Sequence, residues 1–260
     1  MSGFTHFNTA RFAILSSHLQ TLHLGQMKCR MIAIFAAISA SCMAQDLSWS
    51  KQPGSALHLS GNASGALWAI GPDRIAESGY SIGRFTNGTW HTIAGAGRRL
   101  AVDPKGDVWM VDERNYIFRY RAGGSSWEVM PGLGQDIAAG GDGSIWLVGA
   151  GRVQGGYGIH KWNGNGWTNL AGGAVRIAAE RDGTAWVVDA TSHIHRYNAQ
   201  TGSWEGKQGL ARSVHAGATS GGVWMIGMDA VPGGYPVYQW NPSTQAWDRY
   251  GSTGAIAITE

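Results

Sequence analysis

His193 and His195 are the tightest pair of metal-capable side chains in the sequence. Two residues apart on an extended segment, they would face one side and could share a metal ion. No third histidine or carboxylate adjoins the pair, so packing and solvent-facing polarity is the preferred reading, with no metal. His58, His91, His160 and His215 are scattered along the chain. Asp103, Asp107, Asp142 and Asp182 sit singly in turn-like stretches, and one carboxylate per turn is too few for calcium. The chain has no HExxH, no Gly-x-Ser-x-Gly, no P-loop, and no Gly-x-Gly-x-x-Gly that opens a helix. Neither catalysis nor a cofactor is therefore expected.

Binding chemistry is better represented. Three long loops carry Arg74, Glu77 and Tyr80; Arg152, Gln154 and Tyr157; and Met228, Asp229 and Tyr235. Two short ones carry Asp112, Arg114 and Asn115, and Asp189 and His193. Arg99, Asp136, Arg176 and Arg212 recur at intervals between them. Sugar hydroxyls need paired donors and acceptors, and the apolar face of a sugar packs on an aromatic ring. Tyrosine among Arg, Asp and Asn supplies both at low entropic cost.

A repeat positions these groups. Trp49, Trp90, Trp127, Trp167, Trp204 and Trp247 recur every forty residues or so. A second series, Trp68, Trp109, Trp146, Trp186 and Trp224, follows the first by about half a unit. Trp162 and Trp240 share a third position with Phe85, Tyr120 and Tyr197, so all 13 tryptophans are repeat positions. Within residues 176–206 the pattern alternates with period two, as half-buried strands do. Ile177-Ala178-Ala179, Ala185-Trp186-Val187-Val188, Ile194-His195-Arg196-Tyr197 and Ser203-Trp204-Glu205 read as four strands. Asp182-Gly183 and Asn198–Gly202 read as the turns between them. Four short strands per forty residues predict an all-β propeller of four-stranded blades.

The pattern of small-Ile-Ala, Asp-Gly, aliphatic-Trp-aliphatic, Ile-x-Arg-Tyr and Trp resembles the tectonin repeat over residues 47–260. It is clearest at Arg99–Gly132 and Arg176–Gly206. Blade 1 departs with Asn62-Ala63-Ser64-Gly65 in place of Asp-Gly, and blade 5 with Ser220-Gly221. The resemblance implies a lectin that binds glycans or lipopolysaccharide in pockets between blades.

Five complete blades are counted, with a fourth-type strand at Leu47-Ser48-Trp49 and a first-type strand at Ile256-Ala257-Ile258 left over as a partial sixth. The loop between second and third strands is long in blades 1, 3 and 5 (Gly71–Tyr80, Gly149–Tyr157, Gly227–Tyr235). It is short in blades 2 and 4 (Asp112–Tyr116, Asp189–His193). That alternation favours a truncated six-bladed ring over a closed five-bladed one.

Residues 1–44 read as an over-extended start followed by a secretory signal peptide. Met27-Lys28-Cys29-Arg30 precedes an apolar run of about ten residues, too short to span a bilayer. Met27 is the expected start and cleavage is expected near Ala44. The product is then secreted or periplasmic; a lipoprotein acylated at Cys42 is the less favoured reading. The leader carries Arg11, Lys28 and Arg30 and none of the 17 acidic residues, so 45–260 is formally neutral despite the whole-chain pI near 9.0. Nucleic acid is not an expected partner, because no basic run tracks phosphates. Both cysteines, Cys29 and Cys42, lie in the leader.

The expected function is a secreted carbohydrate-binding protein of repeated shallow sites, with oligomerisation left open. The alternatives are a propeller enzyme of the streptogramin-lyase type and a protein-interaction platform. The expected ligand residues are Arg74, Tyr80, Arg99, Asp112, Arg114, Asn115, Arg152, Tyr157, Arg176, Asp189, His193, Arg212, Asp229 and Tyr235.

Overall fold

A computed structural model describes residues 56–217 and 222–255. The period-two segments form short antiparallel strands, each exposing alternate side chains to opposite faces. Blade 1 comprises β1 (His58–Gly61), β2 (Leu67–Ile75), β3 (Gly79–Thr86) and β4 (Thr89–Gly97). Blade 2 comprises β5 (Arg99–Val102), β6 (Val108–Val111), β7 (Tyr116–Tyr120) and the first half of β8 (Trp127–Ala139). The second half of β8 begins blade 3, followed by β9 (Ile145–Val153), β10 (Gly156–Trp162) and β11 (Trp167–Ala174). Blade 4 is β12 (Arg176–Ala179), β13 (Ala185–Val188), β14 (His193–Asn198) and the first half of β15 (Ser203–Ala216). Blade 5 takes the rest of β15 with β16 (Val223–Gly227), β17 (Tyr235–Asn241) and β18 (Ala246–Ala255). The described residues form an all-β propeller fold of five such blades. The leftover strands at Trp49 and Ile256–Ile258, like the leader, lie outside the described residues.

The core lies between blades. Four clusters of buried side chains join blades 1 and 2, 2 and 3, 3 and 4, and 4 and 5. At their centres stand Trp68, Trp109, Trp146 and Trp186, each no more than 2% exposed. Each meets the third-strand aromatic and fourth-strand tryptophan of the following blade, with ring centroids 5.2–6.4 Å apart. A buried ring of this size removes about 200 Å² from water, worth about 5 kcal/mol. Directly across the strand pair, Arg84, Arg119, Lys161 and Arg196 place a cation over the same four rings, at 4.8–5.8 Å.

The fourth-strand tryptophans tie blades together by hydrogen bonds. Trp127, Trp167, Trp204 and Trp247 donate through Nε1 to the carbonyls of Ala94, Pro131, Ala171 and Gln208 on the preceding blade, at 2.7–2.9 Å. The turn chemistry also repeats. Asp142 and Asp182 accept the amide two residues on, and Asn62 supplies the same oxygen in blade 1. The missing Asp-Gly there therefore costs the blade nothing.

The long loops differ from the expectation. In blades 1 and 3 they are two-stranded ribbons rather than irregular loops, because β2 and β9 continue past a bulge and pair Arg74 with Tyr80 and Arg152 with Tyr157. The glycine before each tyrosine is required by the backbone. Gly79 and Gly156 have φ of 127° and 135°, and a Cβ on either would lie 2.6 Å from a carbonyl oxygen of the neighbouring strand. Gly234, before Tyr235, has φ 142°.

Candidate functional site

The register of the innermost strands builds the site. Ser60, Ala101, Ala138, Ala178 and His215 each lie opposite a second-strand tryptophan. Two residues earlier, hence on the same face, are His58, Arg99, Asp136, Arg176 and Ser213. These five, with His215, line a central funnel of about 550 Å³. Arg212, Asp189 and Met228 also line it, which puts its mouth on the face formed by the loops between second and third strands. Of the expected ligand residues, the structure thus brings Arg99, Arg176, Asp189 and Arg212 to one place.

The funnel is polar and electropositive. Arg99 Nε lies 3.6 Å from Asp136 Oδ1. Asp136 also accepts the amides of Ile137 and Ile177, at 3.1 and 3.2 Å. Arg176 donates through Nη1 to the Val175 carbonyl at 2.8 Å. His215 Nε2 and Ser213 Oγ are hydrogen-bonded at 2.9 Å. His58 Nδ1 is buried without a hydrogen-bond partner among the described residues. Burial, reinforced by Arg99 and Arg176, pushes the His215 imidazole down to about 3. Burial together with Arg99, His215 and Arg176 holds His58 well below its ordinary value. Both rings are neutral at pH 7. Burial also lowers Arg99, with Asp136 acting against it.

The tyrosine–arginine expectation takes a definite form around the mouth. Arg74 lies 5.6 Å from the Tyr80 ring centroid, Arg152 lies 5.2 Å from that of Tyr157, and Arg212 lies 4.0 Å from that of Tyr235. Each half-buried ring thus has a guanidinium over one face. Arg152 also lines a second cavity of about 1070 Å³, with Gln154, His160, Asn169 and Leu133. Asp229 is exposed beside Met228 on the blade 5 loop.

The short loops are occupied by their own turns. Asp112 is buried, and its Oδ1 accepts the amides of Arg114 and Tyr116. Asp189 likewise accepts the amides of Thr191 and His193. Arg114 turns back onto Asp112 and stacks on Tyr116. Asn115 adopts φ 71° and accepts from Arg98 Nη2. His193 is exposed, and its Nδ1 contacts Thr191 Oγ1. A carboxylate does reach the histidine pair, since Asp189 Oδ2 lies 3.1 Å from His195 Nε2. The hairpin folds it back onto the pair from four and six positions away. Among the described residues no group of three or more His, Cys, Asp or Glu is arranged to hold a metal.

Sequence reasoning passed over His58 and His215 as scattered, although both fall at funnel positions once register is counted from the tryptophans. It also missed Arg98, which donates to Asn115, the Gln135 carbonyl and Gln135 Oε1 and so ties three chain segments.

Residues 73–155 match the Tectonin domain. The match runs from the blade 1 ribbon to the tip of the blade 3 ribbon, and so includes the Arg74–Tyr80 pair and Arg152 but stops short of Tyr157. Among solved structures, the protein is similar to a structural genomics protein of unknown function from Bacteroides thetaiotaomicron VPI-5482, at TM-score 0.50 and 10% identity. That alignment covers 68% of this chain and 58% of the Bacteroides one, and speaks to the fold alone. A structure of YCF48 bound to D1 peptide aligns at TM-score 0.48 and 18% identity, over 75% of this chain and 67% of that one. YCF48 from Cyanidioschyzon merolae aligns at 0.48 and 16%, over 79% and 75%. No curated protein matches the chain. Among the described residues no helix is long and apolar enough to cross a membrane.

Proposed function

We propose that this tectonin-like propeller is a secreted or periplasmic carbohydrate-binding protein rather than an enzyme, with glycans or lipopolysaccharide as its ligands. One observation carries the reading: a single face repeats a tyrosine braced by an arginine, at Tyr80, Tyr157 and Tyr235, around a polar funnel. A ring held in place by a cation is a ready platform for the apolar face of a sugar, and the neighbouring guanidinium offers planar donors to its hydroxyls. Sites repeated on one rigid face gain avidity from multivalent ligands without any single site being strong. The cavity beside Arg152 is large enough for a disaccharide, just above the usual size of small-molecule sites.

A glycan array and a bacterial-surface binding assay with the purified protein test the proposal. Binding is expected, and the Tyr157→Ala, Tyr235→Ala double variant is expected to lose most of it while keeping its fold by circular dichroism. Absence of binding to every glycan and every bacterial surface would remove the proposal.

A further inference from the structure

The innermost strands put two arginines into the funnel, and the fold does not ask for them there. The position two residues before the one facing the tryptophan is His58 in blade 1, Arg99 in blade 2, Asp136 in blade 3, Arg176 in blade 4 and Ser213 in blade 5. Four different residue types at the five positions support the same blade geometry, so Arg at two of them answers to the funnel and not to packing. Asp136 is the carboxylate paired with these two guanidinium groups; Asp189 lines the same cavity but is taken up by its own turn and by His195, and Glu113 acts on Arg99 more weakly than Asp136. Asp136 sits nearest Arg99, through Nε at 3.6 Å, and shares its oxygens with two backbone amides. The Nη atoms of Arg99 make no hydrogen bond among the described residues. Arg176 has one, to its own neighbour's carbonyl. Two half-buried guanidinium groups served by one paired carboxylate are under-compensated, and planar forks are shaped to grip two oxygens at once. His58 Nδ1 is shut in and unpartnered among the described residues, and His58 lines the same space.

We infer that the central funnel is an anion site, in which Arg99 and Arg176 grip one carboxylate or phosphate group with His58 completing its hydrogen bonds. The cavity of about 550 Å³ is large enough for that group and the residue that carries it. Arg212, stacked on Tyr235 at the mouth, extends the positive lining outward. The site is distinct from the tyrosine platforms and does not depend on them; it selects for charge, where they select for shape.

Thermal unfolding of the purified protein with inorganic phosphate, with glucuronate and with glucose, at constant ionic strength made up with chloride, tests this inference. A ligand that binds only the folded state raises the melting temperature with concentration. Phosphate, glucuronate or both are expected to do so and glucose is not, and the anion that acts identifies the oxyanion as phosphate or sugar carboxylate. Arg176→Gln and Arg99→Gln are each expected to weaken the apparent affinity about tenfold or more, the scale of a lost charge-assisted pair. Arg176→Lys, which keeps the charge but not the fork, is expected to fall between. Arg121→Gln, whose side chain pairs with Glu128 on the outer turn of blade 2, is expected to respond as the wild type. The inference is overturned if neither anion stabilises the protein, if glucose does so equally, or if both Arg176 variants respond as the wild type. Anion binding with a blank glycan array leaves this site standing and removes the lectin proposal. Glycan binding without any anion effect does the reverse.

Discussion

Lowering the pH from 7 to 5 should destabilise the protein through two enclosed histidines. His215 is held at about 3 in the folded state by burial and by Arg99 and Arg176, against about 6.5 when unfolded. Both states are neutral at this ring above that unfolded value, so nothing is lost there. Below it the unfolded chain takes up a proton that the folded one refuses, and stability falls until the pH passes the folded value. At pH 5 the difference amounts to about 2 kcal/mol for His215 alone. His58, shifted in the same direction by burial and the same arginines, adds a second loss of the same sign. The carboxylates act lower. Partial burial opposes ionisation of Asp107 and Asp189, but hydrogen bonds outweigh it: the Ala122 amide and Arg119 at Asp107, and Thr191 and His195 at Asp189. Both are thereby held below their ordinary value. Their contribution is complete above about pH 4 and fades only beneath it. Asp103, pushed up by burial, works the other way by gaining stability as it protonates, and does so equally in the wild type and in a His215 variant. The clean perturbation is His215→Ala, since three of the four other blades carry a fully buried alanine at this position (Ala101, Ala138, Ala178). Urea unfolding followed by tryptophan fluorescence at the two pH values would measure it. The variant should lose about 2 kcal/mol less than the wild type between pH 7 and 5. An equal loss in both proteins would refute the account of the funnel as a place that excludes a protonated imidazole.

Four further outcomes follow from the packing. Gly156→Ala imposes φ 135° on an L-residue and drives its Cβ to 2.6 Å from the Ala174 carbonyl, so a loss of about 3 kcal/mol is expected in urea unfolding. Trp204→Phe keeps an aromatic ring against Trp146 but deletes the donor to Ala171 at an exposed site, and about 1 kcal/mol should go. Trp186→Phe, by contrast, alters a fully buried ring and deletes its Nε1 bond to Glu180 at 2.6 Å, leaving that carboxylate to Arg196; its melting temperature should fall well below that of Trp204→Phe. Arg119→Met removes the cation from a largely buried pair with Asp107 and from the face of Trp109, which should cost about 3 kcal/mol.

The fold was legible because its largest side chains mark it twice per unit. Trp68 and Trp90, Trp109 and Trp127, and their successors are spaced by strand lengths and turn lengths that the chain cannot change without losing an inter-blade contact. The ribbons were not legible. Whether Arg74 and Tyr80 face each other across a loop or within a ladder depends on a bulge near Ile70, and a bulge leaves no mark in the alternation. Glycine before tyrosine was the available sign, and its reason is a carbonyl on another strand. The same limit applied to function. Asp112 and Asp189 read as ligand groups because they are polar and near a loop tip, yet they hold their own turns as Asp103 does. His58 and His215 read as scattered because about 160 residues separate them. Counted from the nearest tryptophan register, they fall on the same inward face of the first and fifth blades.

The two end blades carry the strongest argument about the ring. In four successive interfaces a second-strand tryptophan is sealed by the following blade, and a fourth-strand tryptophan donates to a carbonyl of the preceding one. Trp224 is the fifth second-strand tryptophan. It is half-buried and meets Tyr250 of its own blade at 5.1 Å. Trp90 is the first fourth-strand tryptophan described. Its ring meets Phe85 at 5.2 Å, and its Nε1 has no carbonyl acceptor among the described residues. These are the two halves of the repeated interface, one facing each way, and no buried cluster joins blade 5 to blade 1 among the described residues. The alternation has the same parity. Long ribbons fall in blades 1 and 3 and a long loop in blade 5. The continuous strands β8 and β15 join blade 2 to 3 and blade 4 to 5, a period of two blades that an odd ring would break at its seam. Among the described residues, then, Trp224 and Trp90 are the two repeat tryptophans with no ring contact to a neighbouring blade, and the two-blade period stops at the same seam.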